Sequence, residues 1–221
     1  MKILGIETSS NVCSVAILED NKIIKEININ DAKTHSIVLM PIIEELLNTL
    51  NIKLEDIDVF TCSIGPGSFT GIRIGIATVM AMKDVFDKTT LGIPSLLGLA
   101  HNISDFNGTI CSLIDARNNN VYCGVFDNNK NLLEPYFTDS IDNVIQKLKL
   151  YSKPILFVGD GAVFHKDILQ NNFNNCCFAE GILNNANAVG IAKAALYKEN
   201  FTLYSSLSPM YLKLSQAERN L

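Results

Sequence analysis

The sequence predicts an α/β chain built from two related βββαβα halves in tandem. Three observations predict it. Each half opens with an apolar strand that ends in an acid, residues 2–6 before Glu7 and residues 109–114 before Asp115. A displacement of 108 positions lays Glu7 on Asp115, Asn11 on Asn119, Asn21 on Asn129 and Lys22 on Lys130, and it lays Val15 and Ile17 on Cys123 and Val125. A later strand in each half runs into Gly-x-Gly ahead of a helix: Ile64-Gly65-Pro66-Gly67-Ser68 and, 94 positions on, Val158-Gly159-Asp160-Gly161-Ala162. A repeat of this length sets the architecture. It divides the chain into a half at 1–104 and an abbreviated half at 105–221.

The elements follow in order. Residues 2–6 form a strand, Thr8-Ser9-Ser10-Asn11 a polar turn and residues 12–18 a second strand. Glu19-Asp20-Asn21-Lys22 turns the chain into a third strand over 23–27. β-branched runs bounded by turn residues make this a meander. Residues 35–50 form a helix, with Leu39, Ile43, Leu46 and Leu50 near one face. Residues 59–64 are a buried strand, and Gly65-Pro66-Gly67-Ser68 opens a helix over about 70–85 with Ser68 as its N-cap. A strand at 90–93 closes the first half. In the second half the strand at 109–114 begins the same order, and residues 141–150 stand for the first helix, shortened.

Composition bounds the function. The chain has 221 residues, 48% hydrophobic and 19% charged, which fits a packed globular protein and excludes disorder. No apolar run reaches the ~20 residues of a membrane span. The start, Met1-Lys2-Ile3-Leu4-Gly5-Ile6-Glu7, meets an acid before a signal-peptide core forms, so the chain is expected in the cytoplasm. Its six cysteines lack Cys-x-x-Cys spacing and are expected reduced and buried. A formal net charge of −5 argues against the chain gripping a nucleic-acid backbone alone.

Two tandem ribonuclease-H-like halves, each with an acid ending its first strand, are the plan of the actin-like ATPase superfamily, where a nucleotide lies between the halves and the acids face a metal-bound phosphate. Glu7 and Asp115 are therefore the candidates for metal or acid–base chemistry. The turn after Glu7 carries no glycine, and Arg117 and Asn118 follow Asp115 where small residues are needed, so neither half has a good phosphate clamp. The Gly65–Ser68 loop lacks the Lys of a P-loop and reads as a strand-to-helix turn, the alternative being a phosphate cradle of backbone N–H groups at the helix N-terminus. The histidines, His35, His101 and His165, show no metal-binding spacing.

The run Ser63-Ile64-Gly65-Pro66-Gly67-Ser68-Phe69-Thr70-Gly71-Ile72-Arg73-Ile74-Gly75 is the most specific stretch. With Ile6-Glu7-Thr8-Ser9-Ser10, His35-Ser36, Ile114-Asp115-Ala116-Arg117, Val158-Gly159-Asp160-Gly161-Ala162 and Tyr211-Leu212-Lys213, it resembles the TsaB family, also called YeaZ, over essentially the whole chain. The resemblance implies a bacterial, cytosolic, noncatalytic partner in making the threonylcarbamoyl modification on adenosine 37 of tRNAs that read codons starting with A. It implies a catalytic paralogue, TsaD, an ATPase, TsaE, a homodimer when alone, and contact with tRNA only through the complex. In that family the two helices of the first half dock on a second copy or on the paralogue, which here nominates Leu39, Ile43, Leu46, Gly71, Arg73, Gly75, Thr78 and Met82. No catalytic residue, metal or cofactor is expected; Glu7, Thr8, Asp115, Gly159 and Gly161 are the positions of any vestigial nucleotide contact. The polar tail at 211–219 is either a frayed end or a segment that orders on a partner or RNA. Two alternatives stand beside this reading: an active ATP-dependent carbamoyl or phosphoryl transferase of the same fold, and a protein-interaction module such as a chaperone for a peptidase.

Overall fold

A computed structural model of the chain describes residues 1–30, 35–197 and 202–213. Two compact units form: Met1–Gly98 with Ala186–Met210, and Leu99–Asn185 with the chain from Tyr211.

The first unit holds a five-stranded sheet in the order β3-β2-β1-β4-β5. Its strands are β1 (Lys2–Glu7), β2 (Val12–Glu19), β3 (Lys22–Asn30), β4 (Val59–Gly65) and β5 (Thr89–Pro94). β1 is antiparallel to β2, with Glu7 opposite Ser14, and parallel to β4, with Ile6 opposite Cys62. β4 is buried along its whole length, as a central strand covered on both faces must be. The edge strand β3 runs longer than the apolar run alone suggests. A register shift opposite Ile17 and Leu18 leaves Ile24 as the extra residue, and both Ile23 and Ile24 are exposed there. A bulge of this kind twists an open edge away from pairing with another chain.

Side-chain alternation assigns the two faces. Leu4, Ile6, Val15, Ile17, Phe60 and Cys62 pack with two helices, α1 (His35–Leu50) and α2 (Phe69–Phe86). The Ser68 hydroxyl accepts the Gly71 amide at 3.2 Å and caps α2, as its sequence position predicts; Asp87 ends the helix in the left-handed region. A short helix, α3 (Ser95–His101), follows β5. The opposite face carries Gly5, Glu7, Ser14, Ala16, Thr61 and Ser63.

The second unit repeats the plan. Its strands are β6 (Thr109–Asp115), β7 (Asn120–Phe126), β8 (Phe137–Ser140), β9 (Ile155–Val158) and β10 (Cys176–Phe178). Their order, β10-β9-β6-β7-β8, is the first unit's order read from the other edge. Helix α4 (Ile141–Leu148) buries Ile141, Val144, Ile145 and Leu148 against the sheet. Helices α5 (Asp160–Phe164) and α6 (Lys166–Asn172) follow β9.

Helix α7 (Ala188–Ala195) belongs to the first unit. The Ala188 amide donates to the Ser14 hydroxyl at 2.9 Å, and a side chain at Gly5 would strike the Ala188 carbonyl and the Ala192 methyl. Small residues on both partners thus seat α7 on the polar face of the sheet. The compact units are thus not continuous stretches of chain: packing returns Ala186–Met210 to the first unit.

Candidate functional site

The turn after β1 is closed by its own residues. Glu7 is fully buried; its Oε1 accepts the Ser9 amide and, at 2.9 Å, the Ser63 hydroxyl from β4. The Ser9 hydroxyl bonds that of Ser95 at 2.8 Å, and the Ser9 carbonyl accepts the Ser68 amide at 2.7 Å. His35, the first residue of α1, places Nε2 2.9 Å from the Ser10 carbonyl. The Thr8 hydroxyl donates to the Gly71 carbonyl at 2.8 Å. Burial pushes the Glu7 carboxyl above the usual range, against the bonds from Ser9 and Ser63 that favour its charge.

Gly71 and Gly75 make that closure possible. A Cβ at Gly71 would collide with the Thr8 carbonyl oxygen, and one at Gly75 would lie 2.6 Å from the Thr8 hydroxyl. The glycine stripe of α2 therefore faces the β1 turn inside its own unit. A phosphate needs free amides at such a turn. Here the Ser9 amide is committed to Glu7, and the α2 backbone occupies the space above Thr8.

The second unit has the same device. Asp115 Oδ1 accepts the Arg117 amide at 2.9 Å, two residues on, as Glu7 accepts Ser9. Asp160 Oδ1 accepts the Asp115 amide at 3.0 Å, and Gly161 backs onto the Leu113–Asp115 backbone. Arg117, Asn118 and Asn119 all have positive φ, so the turn is a short left-handed stretch. The Lys213 ammonium donates to the Ala116 carbonyl at 2.7 Å, which places the Tyr211-Leu212-Lys213 motif on this turn. Residues 214–219 of the expected tail lie outside the described residues.

Asn184 was not legible as a site residue in the sequence. Its Oδ1 accepts the Gly159 amide at 3.0 Å and its Nδ2 donates to the Ala179 carbonyl at 2.7 Å. It satisfies the Gly159 amide of the second Gly-x-Gly loop from 25 residues away. Ser95 gives no signal for the same reason, and Ser63, although it opens the most specific run, carries no pattern that pairs it with Glu7. Ser14, which holds α7, is a third case.

The nominated docking residues divide sharply. Leu39, Ile43 and Leu46 are buried in the first unit's core, and Met82 is 5% exposed there. Gly71 and Gly75 face Thr8. Arg73 is exposed, and Thr78 is half-buried with its hydroxyl on the Ile74 carbonyl. The exposed apolar side chains of these helices are others: Ile37 at 71% and Met40 on α1, and Met80 and Val85 on α2, beside exposed Ala77 and Ala81. The Cys177 side chain is exposed and Cys176 half-buried, which corrects the expectation of six buried thiols; all six are free. Among the described residues no group of His, Cys, Asp and Glu is arranged to hold a metal, and no helix is long and apolar enough to cross a membrane.

Comparison with known proteins places this geometry. The family model for TsaD, tRNA N6-adenosine threonylcarbamoyltransferase, matches residues 22–220. The tRNA threonylcarbamoyladenosine biosynthesis protein TsaB of Bacillus subtilis is 30% identical over 222 residues, covering 99% of this chain and 96% of that protein. The chain belongs to the TsaB family. Among solved structures, YeaZ from Pseudomonas aeruginosa superposes with a TM-score of 0.78 at 20% identity, over 96% of this chain and 99% of that one. An archaeal actin homologue superposes at 0.50 with 10% identity, over 89% and 99%. The TsaB-family chain therefore has the actin-like ATPase fold, as its repeat predicts.

Proposed function

We propose that this chain is a noncatalytic scaffold subunit for threonylcarbamoylation of adenosine 37 in tRNAs that read codons starting with A. In this reading it works in the cytoplasm, binds and activates a TsaD-type catalytic subunit, and is joined by a TsaE-type ATPase. Alone it is a homodimer. It meets tRNA only through the complex. The names of its full-length relatives support the pathway, and the family model supports kinship with the transferase itself.

The observation that carries the noncatalytic role is the closed turn after β1. The positions a nucleotide phosphate would need are taken by Glu7 on the Ser9 amide and by the α2 backbone on Thr8. Glu7, Thr8, Asp115, Gly159 and Gly161 act in this reading as structural remnants of an ATPase ancestor.

Docking uses the outer faces of α1 and α2. Their exposed apolar residues, Ile37, Met40, Met80 and Val85, are the energetic candidates, with Arg73 and Thr78 beside them. Leu39, Ile43, Leu46, Gly71, Gly75 and Met82 support that surface from beneath. The test is thermal unfolding of the chain alone with Mg-ATP. A ligand at 100 times its dissociation constant adds about 2.7 kcal/mol. The scaffold reading expects no rise in midpoint at millimolar Mg-ATP, and a clear rise supports the enzyme alternative.

A further inference from the structure

Glu7 is the only acid among the described residues that is buried outright. Its two oxygens are treated differently. Oε1 takes the Ser9 amide and the Ser63 hydroxyl, and the Ser9 hydroxyl lies close enough to favour the charged form as well, while Oε2 is buried with no hydrogen-bond partner among the described residues. The titratable group nearest it is His35 from α1, while the thiols of Cys13 from β2 and Cys62 from β4 lie on the other face of the sheet. Glu26 of β3 is one step further, accepting from Ser14 at 3.4 Å, and α7 brings Ala188 and Ala192 to the neighbouring Gly5. A carboxylate oxygen left bare in such surroundings is costly, whereas a carboxylic acid is not charged at all. The same sheet face holds another unpaired polar atom, the hydroxyl of Thr61, which stands opposite Gly5. A hydroxyl is neutral, so it adds no counter-charge to this face.

We propose that Glu7 is a positioning residue held as the neutral acid: Oε1 locks the Thr8–Ser10 turn through Ser9 and Ser63, and Oε2 carries the proton. The locked turn places Thr8, and Thr8 in turn holds the first turn of α2 through Gly71. Glu7 thus sets the seat of a docking helix, although it lies on the far face of the sheet. The consequence for docking rests on the scaffold reading; the protonation state of the carboxyl does not. The raised affinity of Glu7 for its proton on burial agrees with the geometry. Asp115 shows that the shorter side chain also reaches the amide two residues on; Glu7 in addition takes the Ser63 hydroxyl of β4, and that second reach is where its extra methylene matters.

The test compares Glu7→Gln, Glu7→Asp and Glu7→Ala in the full chain. The readouts are thermal midpoints at pH 4 and pH 8, self-association by sedimentation, and the infrared carboxylic-acid C=O band at pH 7. The neutral amide is expected to rescue. Glu7→Gln keeps self-association, unfolds near wild type at pH 4, and exceeds it by several degrees at pH 8. The shorter Asp and Ala variants lose about 4–10 °C at both pH values. The wild-type minus Glu7→Gln difference spectrum shows a protonated acid at pH 7. The proposal is overturned if that band is absent, or if Glu7→Gln at pH 8 is no more stable than wild type. Neither readout depends on tRNA modification, so this proposal and the scaffold reading fail separately.

Discussion

The Thr8 hydroxyl donates to the Gly71 carbonyl at 2.8 Å, so the turn after the first strand and the first turn of α2 are bonded directly to each other. Helix and turn approach so closely that neither Gly71 nor Gly75 can carry a side chain without displacing Thr8. The two glycines of α2 are thereby explained as packing.

Alanine at Gly71 tests that contact. Helix propensity alone favours Ala over Gly by about 1 kcal/mol. Overpacking against backbone costs roughly 1–3 kcal/mol or more. Gly71→Ala is expected to destabilise in urea denaturation by at least ~1 kcal/mol. Equal or higher stability contradicts the close packing.

The docking face gives a paired prediction. Ile37→Glu and Met80→Glu change exposed side chains, and such substitutions normally shift stability within about 0.5 kcal/mol. They are expected to abolish self-association in sedimentation velocity while leaving the monomer folded. Leu39→Glu buries a charge and unfolds the unit. Unchanged association in both exposed variants rules this face out as the docking surface.

Much of the fold is legible in the order of the residues. Strand runs at 2–6, 12–18 and 59–64, the helix at 35–50 and the Ser68 cap lie where pattern and capping chemistry put them. The repeat in the chain reappears as two sheets of one order. The glycine stripe of α2 signals close approach, but its partner, Thr8, is 63 residues away. Periodicity likewise marks both helices as broadly apolar without telling the inward Leu39 from the outward Met40. α7 carries alanines and one glycine, and its return to the first unit depends on Gly5 and Ser14, nearly the whole chain away. Asn184 is one asparagine in a polar stretch, and only the position of Gly159 gives it meaning.

Asn184→Ala removes the acceptor of a buried amide. An orphaned buried donor costs about 1–3 kcal/mol. The variant is expected to lower stability by that order and to speed hydrogen exchange at Gly159. A protected Gly159 amide in the variant contradicts the assignment.

Thiol chemistry follows burial. Burial pushes the Cys13 thiol up to about 11 and raises that of Cys62 further. In the native chain Cys177 is expected to react with a disulfide reagent first and Cys176 more slowly, with the other four protected until unfolding. Rapid native modification of Cys13 or Cys62 contradicts the closed core around the turn.

A scaffold subunit of the kind proposed is required for modifying adenosine 37. The most direct test of that requirement deletes the gene and measures threonylcarbamoyladenosine in tRNA by mass spectrometry. The scaffold role predicts loss of the modification, restored by the wild-type gene but not by a variant with charged substitutions at Ile37 and Met80. Full retention of the modification in the deletion strain contradicts it.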